Sequence, residues 1–232
     1  MSAQDGSTRK NTESFIDMPE SEFLKDLKNS TTTKTSLLVE FRRKVVHLIA
    51  LLVPIGYLIV PRKPALLILA GCAFVSILLD LLKYYDKGFR KSFFKVFGKM
   101  LRSKEIKRFT GATYILGASL ICAFAFDKWI AIIVIIYIIT GDIAAAIFGK
   151  RFGKHKTIGN KTLEGSIAFF ITSYFASIAM RFIALPVAPW SALFMGALTA
   201  TVIESLPLAI DDNLTVPVLT GLLLQMMYVG YF

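Results

Sequence analysis

The chain alternates between long apolar stretches and shorter polar segments that are mostly basic. A helix needs about 20 mainly apolar residues to cross the hydrocarbon core of a bilayer. Several stretches reach or approach that length with almost no charge, so we expect them to be transmembrane helices. The seven predicted spans are residues 45–60, 64–82, 112–126, 129–148, 165–185, 190–210 and 214–232. The pattern predicts an all-α, polytopic membrane protein.

Two further segments change this picture. Residues 1–36 are rich in Ser, Thr, Asn and Lys and predict a flexible tail, which leaves 37–232 as one transmembrane domain. Between spans two and three, aromatic and basic side chains recur at helical spacing on opposite faces, which predicts an amphipathic interfacial helix. Its apolar face holds Phe89, Phe93, Phe94, Phe97, Met100 and Leu101, and its basic face holds Lys87, Arg90, Lys91, Lys95, Lys99 and Arg102. Anchoring to lipid is favoured over gating of a substrate.

Charge predicts the orientation. The chain has 27 Lys and Arg against 16 Asp and Glu, for a net charge of +11. With seven spans, most of the basic residues share one side, and the other side holds only Arg62, Lys63, Lys128 and Arg181. The positive-inside rule then places the amino terminus in the cytoplasm and the carboxyl terminus outside. Anionic lipid and nucleotide are the expected partners, whereas nucleic acid is excluded because no polar domain is left to bind it.

The membrane entry of the first span carries one candidate site. Helical spacing places Glu40, Arg43 or Lys44, and His47 along one face that can hold an anion. Arg43 and Lys44 would equally serve as a topology anchor. His47 lies inside the span, where ionisable groups usually face a polar cavity. A second basic turn, with Lys107, opens the third span and offers helix N–H groups to phosphate.

The third cluster surrounds an intramembrane carboxylate. Asp142 lies in an apolar helix, about two turns from its cytoplasmic end, and its burial demands a partner or a cation. A basic glycine-containing loop follows, and then the start of the next helix, so that a polyphosphate could bridge the two. The candidate phosphate contacts are Gly149, Lys150, Asn160, Lys161, Gly165 and Ser166. Membrane topology explains the lysines about as well, and the spacing is not that of a Walker A loop.

The fourth cluster is acidic on an otherwise basic side. Glu204 lies in span six, and Asp211, Asp212 and Asn213 form the turn into span seven. Hard oxygen ligands of this kind suit Mg²⁺ held jointly with substrate phosphates. The alternative is a helix-capping turn, with Pro217 near the start of the next helix.

These motifs resemble those of the CTP-dependent diacylglycerol kinase, dolichol kinase and phytol kinase family, from about Glu40 to the end of the chain. The diacylglycerol kinase branch is the most similar. The resemblance implies a phosphotransferase that uses CTP and Mg²⁺ and acts on a membrane lipid alcohol at the cytoplasmic face of a bacterial plasma membrane or an endoplasmic reticulum. It implies catalytic roles for Asp142, Asp211, Asp212, Glu204 and His47, with Asp142 and Asp212 as metal ligands. It implies nucleotide contacts by Arg43, Lys44, Lys107, Gly149, Lys150, Asn160, Lys161, Gly165, Ser166 and Asn213.

Three alternatives stay open. The acceptor is diacylglycerol, a polyprenol such as dolichol, or phytol. The segments around Gly149 and Lys161 also resemble phosphatidate cytidylyltransferase, although the carboxyl-terminal block of that enzyme is absent and the chain is short for it. A non-enzymatic transporter would also explain intramembrane Asp142 and Glu204, but no inverted repeat is visible.

Overall fold

The computed structural model describes residues 48–97, 105, 108–157, 161–185 and 188–228. Regular structure within these residues is helical, apart from one isolated bridge between Lys156 and Thr162. The helices are α1 (Leu52–Ile59), α2 (Arg62–Tyr85), α3 (Lys87–Phe97), α4 (Gly111–Ala125), α5 (Lys128–Phe152), α6 (Leu163–Ile183), α7 (Trp190–Ser205) and α8 (Asp212–Met227). The predicted all-α fold is confirmed for this part of the chain, whereas the tail 1–36 lies outside the described residues.

Three of these helices are long and apolar enough to cross a membrane, namely α2, α5 and α6. The helix α4 is apolar but shorter, with 15 residues. Multiple long apolar helices indicate an integral, multi-pass membrane protein. The number of seven spans, the orientation and the single domain over 37–232 stay predictions.

Two helix ends differ from the sequence-based boundaries. The predicted sixth span continues to residue 210, but α7 ends at Ser205. Leu206 is extended, with φ −80° and ψ 141° in the β region. Pro207 explains the difference, because a proline disfavours helical backbone at the preceding residue. Conversely, α5 continues one turn beyond its predicted end, so Lys150 and Arg151 lie in its last turn rather than in a loop.

The described residues fall into two compact units, the smaller of which comprises 79–97 with residues 105 and 108. Within it, the rings of Phe89, Phe93 and Phe97 follow one another along α3, with centroids 6.0 Å and 5.1 Å apart. The predicted helix is therefore formed as far as Phe97. Met100 and Leu101 of the apolar face, and Lys99 and Arg102 of the basic face, lie outside the described residues. Lys83 is almost fully buried, and its ammonium donates to Asp80 Oδ1 at 2.7 Å.

The larger unit is organised around α5. The first three turns of α5 are almost completely buried, and α1, α4, α6, α7 and α8 all pack against this helix. The most extensive pairing is between α5 and α6. It requires a glycine, since a Cβ at Gly141 would lie 2.6 Å from the ring of Phe169. This contact brings the carboxyl-terminal half of α5 close to the start of α6.

Basic side chains at the first residues of α2 and α5 satisfy carbonyl groups that helix ends leave without partners. Lys128 donates to the carbonyls of Leu58 and Val60 at 3.1 Å and 3.2 Å, at the end of α1. Arg62 donates to the Phe124 carbonyl at 2.7 Å, at the end of α4. Cations favour the carboxyl ends of helices for this reason. These two residues therefore have a structural role, and Lys128 lies far along α5 from Asp142.

Candidate functional site

An ion-paired lysine joins the start of α6 to the ends of two other helices. The ammonium of Lys161 lies 2.9 Å from Glu204 Oε1 and 3.0 Å from Asp212 Oδ2. It also donates to the backbone carbonyl of Glu204. Glu204 is in the last turn of α7, and Asp212 is the first residue of α8. Three of the predicted site residues are thus brought together.

The members of this group differ in their contact with solvent. The Glu204 side chain is only 10% exposed, whereas those of Lys161 and Asp212 are 27% and 38% exposed. Burial opposes the charged form of Lys161, but the carboxylates of Glu204 and Asp212 outweigh burial and raise the pKa of Lys161 above its ordinary value. Lys161 is therefore protonated at neutral pH.

Asp142 lies near this group. It is half-buried on α5, within range of a charge–charge interaction with the Glu204 carboxylate. We call Asp142, Lys161, Glu204 and Asp212 the carboxylate–lysine cluster. Asp142 lies on α5, Glu204 on α7 and Asp212 on α8, and Lys161 lies two residues before α6. The packing of these four helices therefore positions the cluster.

Two helices begin beside the cluster with side-chain caps. Thr162 Oγ1 accepts a hydrogen bond from the N–H of Gly165 at 3.2 Å, at the start of α6. Asp211 Oδ1 accepts one from the N–H of Asn213 at 3.2 Å, at the start of α8. The capping alternative for Asp211 is therefore confirmed, while its catalytic role stays a prediction. Asn213 is buried.

Gly149 and Gly165 lie where α5 crosses α6. A Cβ at Gly149 would be 3.0 Å from Thr162 Oγ1, and one at Gly165 would be 3.1 Å from the carbonyl of Ala145. Their closeness explains why glycine is present at both positions without any ligand. The predicted contact of these glycines with a nucleotide stays a prediction.

A hydroxyl pair next to the cluster was missed by the sequence-based argument. The hydroxyls of Ser166 and Ser205 are 2.9 Å apart, and Ser205 donates to the Thr201 carbonyl at 2.8 Å. The Ser166 hydroxyl therefore donates to Ser205. Ser166 was predicted as a phosphate contact, but Ser205 was not, although it follows Glu204 directly. No local spacing links two residues 39 positions apart.

The loop between α5 and α6 has a polar contact of its own. Glu164 Oε1 accepts from the N–H groups of Lys154 and His155, at 3.1 Å and 3.2 Å, and lies 2.8 Å from His155 Nδ1. The N–H of Leu163 also donates to the His155 carbonyl at 2.9 Å. These bonds hold the end of the loop against the first turn of α6, next to Lys161.

The remaining predicted residues cannot be placed in the cluster. Lys150 is exposed on the last turn of α5. The other five lie outside the described residues, and they are Arg43, Lys44, His47, Lys107 and Asn160.

The cluster fits a cation that arrives with a nucleotide. Among the residues that the structure describes, no three His, Cys, Asp or Glu side chains form a group that could hold a metal by themselves. The Lys161 ammonium nevertheless shows that a cation is accommodated between Glu204 and Asp212. Protein Mg²⁺ sites often use only one or two carboxylates, with substrate phosphates and water as the other ligands.

Several curated proteins are similar to this chain. An uncharacterized protein of Rickettsia prowazekii is 28% identical over 183 residues, which are 77% of this chain and 89% of that protein. The CTP-dependent diacylglycerol kinase 1 of Saccharomyces cerevisiae is 31% identical over 176 residues, 65% of this chain and 60% of the kinase. The chloroplastic phytol kinase 1 of Arabidopsis thaliana is 37% identical over 92 residues, 34% of this chain and 30% of the kinase. The chain thus spans less than two thirds of both named kinases.

No solved structure matches the chain. The family comparison matches the Cytidylyltransferase family over residues 21–204, which includes Asp142, Lys161 and Glu204 and ends before Asp212. The chain therefore belongs to the Cytidylyltransferase family and is homologous to CTP-dependent diacylglycerol kinase, phytol kinase and dolichol kinase, as its motifs predict.

Proposed function

We propose that the protein is a CTP-dependent lipid kinase that transfers the γ-phosphate of CTP to diacylglycerol and so forms phosphatidate. The observation that carries this proposal is the meeting of Lys161 with the carboxylates of Glu204 and Asp212 at the ends of apolar helices. The site combines a positive group for a triphosphate with oxygen ligands for its cation. The relative in Saccharomyces cerevisiae is a CTP-dependent diacylglycerol kinase by name.

Phosphoryl transfer depends mainly on positioning and on stabilisation of charge. Asp142 and Asp212 would hold Mg²⁺ together with CTP oxygens, and the bound ion would neutralise charge that develops on the γ-phosphoryl group and on the leaving CDP. Lys161, with Arg43 and Lys44, would bind the triphosphate. The bond between the γ-phosphorus and the bridging oxygen breaks as the lipid hydroxyl oxygen bonds to phosphorus.

The hydroxyl proton must pass to a base. Glu204, Asp211 and His47 are the three candidates from the sequence. Glu204 is paired with Lys161, and Asp211 caps α8. Either carboxylate could accept the lipid hydroxyl beside its present partner, because an ionised carboxylate has several acceptor sites. We further propose that the site faces the cytoplasm, where most of the basic residues are expected, and that the lipid enters laterally from the bilayer.

The test is a transfer assay with purified protein in detergent, Mg²⁺, diacylglycerol and CTP labelled at the γ-phosphate. We expect label in phosphatidate, and a loss of about 100-fold or more when Asp142 is replaced by asparagine, the size typical of removing one essential electrostatic group. Asp127→Asn is the matched control, since Asp127 lies before the opposite end of the same helix and bonds Gln225. Both variants should be expressed at the wild-type level. Retained activity in Asp142→Asn would refute the metal assignment.

The same assay identifies the acceptor and the donor. Dolichol, shorter polyprenols and phytol replace diacylglycerol in parallel reactions, and γ-labelled ATP replaces CTP. Preference for a polyprenol or for phytol would support the kinase activity but identify a different lipid acceptor. Label from ATP at the same rate as from CTP would refute the cytidine preference.

Phosphatidate cytidylyltransferase is the second candidate, because the matched family carries the cytidylyltransferase description. In that reaction the phosphate of phosphatidate attacks the α-phosphorus of CTP, and pyrophosphate leaves. CTP labelled in the cytidine would then transfer its label to the lipid, whereas γ-labelled CTP would not. The two labels in parallel separate the two reactions, and absence of both from lipid would favour the transporter.

A further inference from the structure

The Lys161 ammonium is surrounded by oxygen atoms of the protein. An ammonium group has three N–H donors and no acceptor. Its three partners are Glu204 Oε1, Asp212 Oδ2 and the Glu204 carbonyl. A triphosphate in contact with Lys161 would therefore compete with these three oxygen atoms.

A divalent cation would also use these carboxylate oxygens, which adds Glu204 to the proposed metal ligands Asp142 and Asp212. Asp212 is the proposed metal ligand on α8, and its bonded Oδ2 atom is 3.0 Å from the ammonium. Two cations cannot share one carboxylate pair at this range without strong repulsion. Lys161 is 27% exposed on a long flexible side chain, so that it has room to move away.

We infer that Lys161 and a divalent cation compete for Glu204 and Asp212, and that binding of the cation releases Lys161 to bind the nucleotide phosphates. This inference rests on the proposed function. Lys161 would then have two roles. Before the cation binds, its ammonium is the counter-ion of the two carboxylates, and afterwards it binds the nucleotide phosphates. The charge of the two carboxylates is then compensated in both states.

A purely structural ion pair makes a different prediction. If Lys161 only joins α6 to α7 and α8, its removal weakens the fold and does nothing for metal affinity. If Lys161 competes with the cation, its removal leaves two carboxylates for the metal and raises the affinity. The sign of the change in metal affinity therefore separates the two roles.

The first experiment measures Mn²⁺ binding by electron paramagnetic resonance, using the full chain in detergent with neither nucleotide nor lipid. Lys161→Met and Lys161→Gln should bind Mn²⁺ at least about tenfold more tightly than wild type, because a like charge at this range changes ion affinity by about one to three powers of ten. Lys63→Met is the matched control, since Lys63 is exposed on the first turn of α2. Affinity equal to that of wild type in both Lys161 variants would overturn the inference.

The second experiment needs no variant. Wild-type protein is treated with an amine-acylating reagent, with and without Mn²⁺, and the modification of individual lysines is followed by mass spectrometry. Mn²⁺ should increase the rate at Lys161 by about threefold or more relative to Lys63, as the ammonium loses its carboxylate partners. An unchanged ratio would contradict the competition. Neither Mn²⁺ affinity nor lysine acylation depends on turnover. If both are unchanged while γ-phosphate transfer is intact, the competition is rejected and the proposed kinase function is retained.

Discussion

Replacing Lys161 by methionine should destabilise the protein, mainly through the carboxylate that it leaves behind. Removing one partner of a fully buried ion pair costs about 3–5 kcal/mol. The Glu204 side chain is only 10% exposed, which is close to full burial. Lys161 is 27% exposed, so water near its ammonium reduces the cost of removing it. The partner Asp212 is 38% exposed, and exposed pairs contribute about 1 kcal/mol or less. We therefore expect a loss of about 2–3 kcal/mol, which a domain with about 5–15 kcal/mol of stability survives.

A double-mutant cycle divides this loss between the two carboxylates. Lys161→Met combined with Glu204→Gln should cost less than the sum of the single changes, by about 1–2 kcal/mol, because the double variant no longer buries a lone charge. The cycle with Asp212→Asn should show a coupling below about 1 kcal/mol. The assay is reversible unfolding in one fixed detergent, followed by the helical circular dichroism signal. Equal coupling to both carboxylates would refute the argument from their exposure.

Three other outcomes follow from the described contacts. Gly141→Ala should destabilise by about 1–3 kcal/mol through overlap with the Phe169 ring, whereas Gly117→Ala, with open space around its Cβ, should be neutral or stabilising by up to about 1 kcal/mol in the same unfolding assay. Lys128→Met should lower the free energy of unfolding by about 1 kcal/mol, because two carbonyls at the end of α1 lose a charged donor, and an undiminished value would contradict this role. Because the pKa of Lys161 is raised above 10.5, its stabilising charge is complete below that value and is lost only as the pH rises through the higher folded pKa. The coupling with Glu204 should therefore be the same at about pH 7 and pH 9.

The helices could be predicted because their signals are local. Apolar runs predict α2, α5 and α6 at the positions where they occur, and the phenylalanine spacing predicts α3. The early end of α7 could also have been predicted from the sequence, because Pro207 alone accounts for the extended backbone at Leu206. The extra turn of α5 was not, because Gly149 and Gly153 indicate a loop unless their packing against α6 is known.

The site residues were predictable one at a time, but their pairing was not. Carboxylates in apolar helices are costly, so Asp142 and Glu204 each indicate a polar site without reference to the fold. Lys161 was assigned to a phosphate, whereas the structure pairs it with groups 43 and 51 residues away. No spacing rule reaches across that distance, since only the packing of α6 against α7 and α8 brings these atoms together.

The glycines show why some motifs are harder to interpret than others. A missing Cβ allows close approach of either a phosphate or another helix, and the sequence around Gly149 and Gly165 is the same in both cases. In the structure the second cause is sufficient, because each Cβ position is already filled by α5 or α6 atoms. A buried carboxylate is different, since an apolar helix gains nothing from it and only a charged partner offsets its burial. The case for a functional site therefore depends on Asp142, Glu204 and the Lys161 ammonium that pairs with Glu204. The basic glycine-containing segment supports that case only in combination with these charged residues.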